Sequence, residues 1–547
     1  MKSKKTKIAL LAGALSVLVL LGVFFALFFT GVFDKDMQQV SGPVIRFTPE
    51  THFLKEEERI TMVCDNAPTE TYTIYYTLSG ASPAEKGKVL KDGGFPLKVR
   101  EKETVSCYTV RAQAKFADGT WSEETYHSYF VGSKVDERFD INVFSLTILP
   151  DDFDGEKGIY TNPKETGDEW ERPVYVEVFE PDGKRVIAQD AGIRIHGGAS
   201  RGKAMKSYRL YAREEYSGAE QKYFEYPFFD GAVDAYGKPI EKYKRLVLRD
   251  SGNDNNVTFV RDALVQTLAK EAGFQDTEEV APMALYINGV YQGFYWTQEY
   301  VSEKYFKATY GKYAGDFDKS EHKKNAVDTK EENLEFPELA ALDLTKDENF
   351  KKVKETIDLE NYLFFYAINT LADNEDWPQT NSISYRYRPG EGEGYAPTGV
   401  FDGRWRFMIH DDDMTFGLGK NHPYRECLKA VLDKDAVKHH NETLDLLPYS
   451  PLFAALMERE DCRQMYIEKV RELTSGVFSP KHMNEVLDKF VKIQANELKY
   501  FYSECEYAGK KKLADYKTAL QTLREYLNSS EGSIKQQIFD LWGVDIR

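Results

Sequence analysis

The sequence predicts a mixed α+β protein whose strands come first and whose helices come last. Three observations carry this. Between about 140 and 250 the chain supplies "INVFSLTIL", "PVYVEVFE", "AGIRIHGG", "SYRLYAR" and "YKRLVLRD", the alternating or continuously apolar runs of half-buried and buried strands. Residues 257–273, "VTFVRDALVQTLAKEAG", put apolar side chains at helical spacing and end on Gly273, a helix stop. From 421 to 547 the chain reads mostly as helices with one polar face.

Length and charge bound the function. At 547 residues the chain holds two or three domains. Asp and Glu outnumber Lys and Arg by 89 to 72, a formal charge of −17. This argues against nucleic acid, which needs a basic face. The 34 Phe and 35 Tyr suit carbohydrate or nucleotide surfaces, and an ordinary core explains them more simply.

The N-terminus is the sharpest local signal. "MKSKKTK" carries four Lys, and residues 8–33 follow without a charge. About 20 apolar residues span a bilayer as a helix. The run exceeds the ~7–15 residues of a cleaved signal core, and its end, "FALFFTGVF", has no small-x-small site. Residues 1–33 are therefore expected to form a cytoplasmic Lys-rich start and an uncleaved transmembrane anchor. The Lys cluster stays inside, which leaves the bulk of the chain extracytoplasmic. Residues 34–42 read as a polar linker.

Residues 43–133 read as a small β-sandwich. "YTIYYTLSGASP" alternates and ends in a turn, and "CYTVRAQAKFADGTWS" repeats the pattern around a hairpin turn at Asp118-Gly119. "YHSYFV" supplies a last strand. "IYYTLSGASP" and "TVRAQAKFADGTWS" resemble the chitobiase/β-hexosaminidase C-terminal-like module, which implies an immunoglobulin-like accessory domain without catalytic residues. The five Cys are scattered, with no metal spacing. Cys64 and Cys107 share this domain and could pair outside the cell. An odd count leaves at least one thiol free.

Further along, "MALYINGVYQGFYWTQEYV" is a hairpin on Asn288-Gly289. The Lys/Glu-rich stretch 302–355 reads as helices with loops. "LENYLFFYAINTLADNED" is an apolar helix running into an acidic turn.

Three segments could carry chemistry. In 191–213 a strand enters the loop Gly197, Gly198, Ala199, Ser200, Arg201, Gly202 and a second strand leaves. Small residues let backbone N–H groups approach an anion, and Arg201 adds a positive fork. Period two puts Lys206 on the face of Tyr208 and Leu210. A Lys there calls for an ion pair or a phosphate; a plain glycine hairpin with a solvated Lys is the simpler reading. In "LADNEDWPQTNSISYRYRP", Asp376 precedes Asn381 by five residues. This is either a capped loop or a catalytic carboxylate with a metal-binding Asn, the spacing of a kinase catalytic loop. In "WRFMIHDDDMTFG" an apolar strand delivers three carboxylates. If the strand persists, Asp411 and Asp413 share one side. Two converging carboxylates call for a cation, magnesium where phosphate oxygens complete the shell; a solvated turn is the alternative. Glycosidase-type carboxylates remain open in principle. Cations, an Asp…Asn turn and an Asp pair are the equipment of phosphoryl transfer.

Five stretches in order over about 190–420 resemble the spore-coat protein H (CotH) kinase family: "GIRIHGGASRGKAMKSYRLYAR", "LRDSGNDNNVTFVRDALVQTLAKEAG", "LYINGVYQGFYWTQEYV", "LADNEDWPQTNSISYRYR" and "WRFMIHDDDMTFG". The resemblance implies an atypical protein-kinase-like core over 140–420, with 421–547 as its helical C-terminal part. It implies transfer of the ATP γ-phosphate to Ser/Thr of a surface or coat protein with Mg²⁺ or Mn²⁺. Asp376 then resembles the catalytic Asp, and Lys206 the phosphate-contacting Lys. Ser200 and Arg201 match the family's loop, and Glu299 its acidic residue beside the nucleotide. Asn381, Asp411 and Asp413 resemble metal ligands. Met205 and His410 depart from the family's usual Lys and Trp. The rival expectations are an inactive surface or coat scaffold that keeps the fold, and a surface glycosidase or sugar binder.

Overall fold

The computed structural model describes residues 42–546 except 219–220, 312–314, 323–335, 379, 419–425, 436–437, 441–443 and 447. The expected anchor and almost all of the linker lie outside the described residues. Among the described residues no helix is long and apolar enough to cross a membrane.

Among the described residues eight strands come first: β1 Val44–Thr48, β2 Phe53–Leu54, β3 Glu58–Asp65, β4 Tyr72–Thr77, β5 Lys88–Val89, β6 Phe95–Leu97, β7 Ser106–Phe116 and β8 Thr125–Val131. They form two sheets, β1-β3-β6 and β2-β8-β7-β4-β5. Alternation along the strands delivers Ile45, Phe47, Ile60, Met62, Ile74, Val110 and Ala112 to the core between them. Cys64 lies in that core, whereas Cys107 belongs to the cluster on the other face of β7. The pairing raised from the sequence is not formed, because β7 directs the two thiols apart; both are free.

A closed barrel follows. Its strands are β9 Asn142–Thr147, β10 Arg172–Phe179, β11 Arg185–Ile195, β12 Tyr208–Tyr211 and, after the short pair β13 Phe224–Glu225 and β14 Lys242–Tyr243, β15 Arg245–Arg249, β16 Val280–Ile287 and β17 Val290–Glu299. The order is β10-β11-β12-β15-β17-β16-β9. All pairs are antiparallel except β16 with β9. The β16–β17 hairpin turns on Asn288 and Gly289, both at positive φ, as an Asn-Gly turn requires. Leu146, Val176, Ile193, Leu210, Leu246, Leu248, Met283 and Leu285 fill the interior and are buried. Burial of each such side chain stabilises the fold by ~1.5–3 kcal/mol.

The barrel's outer face on β9 and β10 packs against β7 and β8. Phe130, Val143, Phe179 and Tyr286 share one apolar cluster, and Ser128 donates to Glu177 at 2.6 Å. The buried Arg138–Glu497 pair ties the connection between the two parts to the helix Pro480–Glu504.

Three sequence expectations are corrected. The helix predicted from 257 begins later, at Arg261–Glu271, because residues 254–260 form a capping turn around Asp254. The stretch 302–355 contains helices Glu303–Tyr310 and Asp347–Thr356 but also a strand, β18 Asp316–His322. β18 is the edge of a sheet β18-β19-β20 with β19 Ser382–Arg388 and β20 Arg406–Met408. An edge strand needs little apolar alternation, which is why "DFDKSEH" does not read as one. Finally, β20 stops at Met408, so the strand does not persist through the three Asp.

The last part is helical as expected. Cys427–Leu432, Pro451–Met457, Glu460–Ser475, Pro480–Glu504 and Leu513–Trp542 pack on the helix Leu359–Ala372 and on the barrel.

Candidate active site

Strand alternation decides which barrel residues reach the carboxylates. On β15, Leu246 and Leu248 face the interior, so Val247 and Arg249 face out. Arg249 is the last residue of the strand, and its side chain meets the loop that follows β20. One nitrogen, Nη2, donates to Asp411 Oδ1 and, at 3.0 Å, to Asp413 Oδ2. Asp262, on the first turn of the helix Arg261–Glu271, lies 3.4 Å from Arg249 Nε. Three carboxylates therefore surround one guanidinium.

The loop itself is built by backbone conformation. Asp411 adopts φ +58°, in the left-handed region that Asp and Asn tolerate better than most residues. This turn, rather than a continuing strand, brings Asp411 and Asp413 to one point. Asp412 goes the other way: its backbone N–H donates to Asp262 at 2.9 Å, and its Oδ1 accepts from Asn374 Nδ2 at 2.9 Å. Asn374 belongs to the turn after the helix Leu359–Ala372. Glu375 N to Met414 O (2.9 Å) and Phe416 N to Ala372 O (2.8 Å) fasten that turn to the Asp loop.

A second loop supports Asp413. In "RDSGND", Ser251 and Gly252 have φ +71° and +54°. A Cβ on Gly252 would stand 1.7 Å from Asp413 Oδ2, so glycine is required there. Asn253 gives Asp413 two bonds, from N at 2.9 Å and from Nδ2 at 3.0 Å. Asp250, fully buried, holds the loop from inside: it accepts from Ser207 Oγ at 2.6 Å and from Gly252 N at 2.9 Å. Lys203, from the glycine-rich loop, donates to Gly252 O at 2.9 Å and Asn253 Oδ1 at 3.0 Å.

Charge is distributed unevenly over the Asp triplet. The Asp411 side chain is 35% exposed, whereas Asp413 is 5% exposed. Partial burial works against the Asp411 charge, but Arg249 and then His410 hold its carboxyl well below the usual range. Burial, and then the Asp411 charge, push Asp413 well above it. Burial, and then Asp262, do the same to Asp412, whose Oδ2 has no hydrogen-bond partner among the described residues. His410 bonds Glu278 through Nδ1 at 3.2 Å. Burial opposes its charge, but Glu278 raises its pKa.

The residues singled out from sequence separate into two groups. Asn381, also at positive φ (+62°), points Nδ2 at the Asp411 carbonyl, 3.4 Å away. Asp376 lies close enough to favour the protonated form of Asp413. These two join Asp411 and Asp413. The others are engaged elsewhere. Lys206 donates to Arg201 O at 2.9 Å and Lys203 O at 2.8 Å, and lies over the Tyr160 ring. Burial lowers its pKa against the pull of Asp250. Arg201 donates to the carbonyls of Gly197, Pro163, Glu165 and Ile195, and so braces the loop that carries Ser200. Glu299 is on the interior face of β17, opposite in sense to Arg249, and accepts from Glu279 N at 3.1 Å. Burial, and then Glu279, raise its pKa to about 8.

Sequence reasoning did not assign Arg249, Asn253, Asp262 or Lys203. The signal for Arg249 was present: a charged residue closes "RLVLR" on the polar side of an alternating strand. Among the described residues, no three His, Cys, Asp or Glu are arranged as a metal shell, because the guanidinium stands between the carboxylates.

The CotH kinase protein family matches residues 193–533. The chain belongs to this family. Membership implies a kinase-like function and the use of ATP. No curated protein matches the chain. The family region begins inside β11, yet β9 and β10 close the same barrel, so the folded unit extends before it.

Proposed function

We propose that this CotH kinase family member is a protein kinase that transfers the γ-phosphate of ATP to Ser/Thr hydroxyls of a surface or coat protein, using a divalent metal. The observation that carries the reading is the charge imbalance at Arg249. One guanidinium faces Asp262, Asp411 and Asp413, and only Asp411 opens to solvent. A cluster with surplus negative charge and an exposed oxygen suits a cation.

The donor chemistry fits Mg²⁺ or Mn²⁺, which take hard oxygen ligands. Asp411 and Asn381 would hold the ion, Asn381 through Oδ1, which its Nδ2 contact turns away from the Asp411 carbonyl. Asp413, already bonded by Arg249 and twice by Asn253, supports them. A bound ion would neutralise the phosphate oxygens as charge shifts to the leaving group. Asp376 accepts the acceptor hydroxyl proton as its oxygen bonds to the γ-phosphorus. The bond from that phosphorus to the β–γ bridging oxygen breaks, and ADP leaves. Ser200 and the small-residue loop, braced by Arg201 and Lys206, would contact the phosphates.

In this reading residues 1–33 anchor the chain and the catalytic part faces outward. The N-terminal sandwich, read as a chitobiase-like module, is an accessory domain. A second reading, an inactive surface scaffold, draws support from Lys206 and Arg201, whose donors are engaged by backbone carbonyls.

The test is transfer of label from γ-labelled ATP by the full-length chain with Mg²⁺ or Mn²⁺, beside Asp411→Ala and Asp376→Ala. Transfer that both variants lose supports the kinase. A folded protein with neither transfer nor ATP-dependent thermal stabilisation leaves the scaffold.

A further inference from the structure

Where the barrel's β15 and β17 meet the helix Glu303–Tyr310, a cavity of about 290 Å³ opens. Lys242, Lys244, Arg245, Lys304 and Lys307 line it, and Glu299 is the one carboxylate on its wall. In a chain of net charge −17 this concentration of cations is out of character. Two of them have partners: Lys242 pairs with Glu225 at 2.8 Å, and Lys307 with Asp316 at 2.9 Å. Lys244, Arg245 and Lys304 form no ion pair among the described residues. Lys244 instead lies 4.2 Å from the centre of the Tyr223 ring, and Arg245 over Tyr211 and Tyr300. Ser302 lines the same cavity, and its buried hydroxyl has no hydrogen-bond partner among the described residues.

Two further facts point the same way. Burial and then Lys222 lower the Lys244 pKa, Glu214 opposes them and Lys304 adds to them, as cations crowded on one wall do. Glu299, with its pKa at about 8, is mostly uncharged near neutrality and does not neutralise them. The cavity also connects to the carboxylate site. Tyr300 receives Arg209 both on its ring and at its hydroxyl (2.5 Å), and its ring meets His196. Arg209, Arg249 and Asp411 in turn all act on the His196 ring.

We infer that this cavity is a docking pocket for an anionic side chain, a carboxylate or a phosphate, of the protein substrate, held by Lys244, Arg245, Lys304 and the Ser302 hydroxyl. The inference rests on the protein-kinase reading and names its substrate class: acceptor sites with acidic or already phosphorylated flanks. Lysines suit point-charge recognition of either group, and Arg adds a directional fork.

The test is fluorescence anisotropy with the full-length chain and three labelled Ser peptides, flanked by Glu, by phosphoserine or by Lys. The Glu and phosphoserine peptides bind and the Lys peptide does not. Lys244→Glu/Lys304→Glu weakens acidic-peptide binding by about tenfold or more, while ATP-dependent thermal stabilisation is retained. Asp411→Ala leaves peptide binding unchanged. Preference for the phosphoserine peptide identifies phosphate as the ligand; equal binding identifies a carboxylate. If the double variant unfolds, the exposed Lys304→Ala alone is used, with a smaller loss expected. Equal binding of the Lys peptide, or an unaffected variant, overturns the proposal. Loss of ATP stabilisation in the variant also overturns it, because the cavity then belongs to the nucleotide. Acidic-peptide binding by a chain that transfers no label leaves the pocket standing and removes the kinase reading.

Discussion

Two buried arginines of this chain meet aspartates, and they do opposite things. Arg261 faces one carboxylate, Asp254, at 2.5 Å, and the two are 3% and 0% exposed. Thr258, Val260 N and Arg261 N complete the Asp254 shell, and Arg261 Nε caps Thr415 O at 2.9 Å. Charge and hydrogen bonds balance, and no oxygen is left over. Arg249 faces three carboxylates, leaves the 35%-exposed Asp411 at the surface, and has an Nε without a hydrogen bond. The first cluster is a rivet, and the second is under-neutralised. A buried ion pair in itself says little about function; a surplus of charge beside an opening does.

The largest expected effect breaks the balanced pair. Asp254→Ala leaves Arg261 charged and buried, and should cost about 3–5 kcal/mol of stability, read as a collapse of the urea midpoint. Asp411→Ala should do the reverse. Label transfer falls by about 100-fold or more, while the melting temperature moves by a few degrees at most, because Asp262 still faces Arg249 and Asp413, freed of the Asp411 charge that favours its protonated form, can ionise beside it. Equal stability losses in the two variants would erase the distinction between the clusters.

Gly252→Ala sharpens it from the side. The added Cβ pushes on Asp413 Oδ2 and needs an unfavourable φ. A loss of about 1–2 kcal/mol should accompany reduced transfer, measured on the same preparation. Addition of Mg²⁺ without nucleotide should raise the melting temperature of the native chain by a few degrees and leave Asp411→Asn unmoved; an equal rise in both places the ion elsewhere.

The remaining effect is pH-dependent. Glu299 has its pKa raised to about 8 in the folded chain, against about 4.3 unfolded. The folded state then binds the proton more tightly, so its contribution is full below about 4.3 and is lost as pH rises through about 8. Melts from pH 5 to 8.5 should fall more steeply for the native chain than for Glu299→Gln. Parallel curves would show that Glu299 titrates normally.

The strands, the Asn288-Gly289 hairpin, the terminal helices and the α+β class were legible because alternation and helical spacing report burial directly. "DFDKSEH" was not, because an edge strand packed by Phe317 alone carries no period. The meeting of Asp411 with Asp413 was read correctly for the wrong reason. Period two suggested it, but a left-handed turn at Asp411 produces it. The resemblance placed Lys206 and Glu299 in one site with the Asp triplet, and motif order by itself does not say which face of a barrel a strand residue such as Glu299 takes.

By itself the sequence determined composition-level and local matters: the family, the element types, and which polar residues were unusual. Tertiary structure decided the pairings. Arg249 and Asp411 are 162 positions apart, and only barrel closure, with a strand end aimed at one loop, brings a guanidinium among three carboxylates. Local periodicity fixes the face of each strand, but charge balance at a site is a sum over several elements, and no single segment contains it.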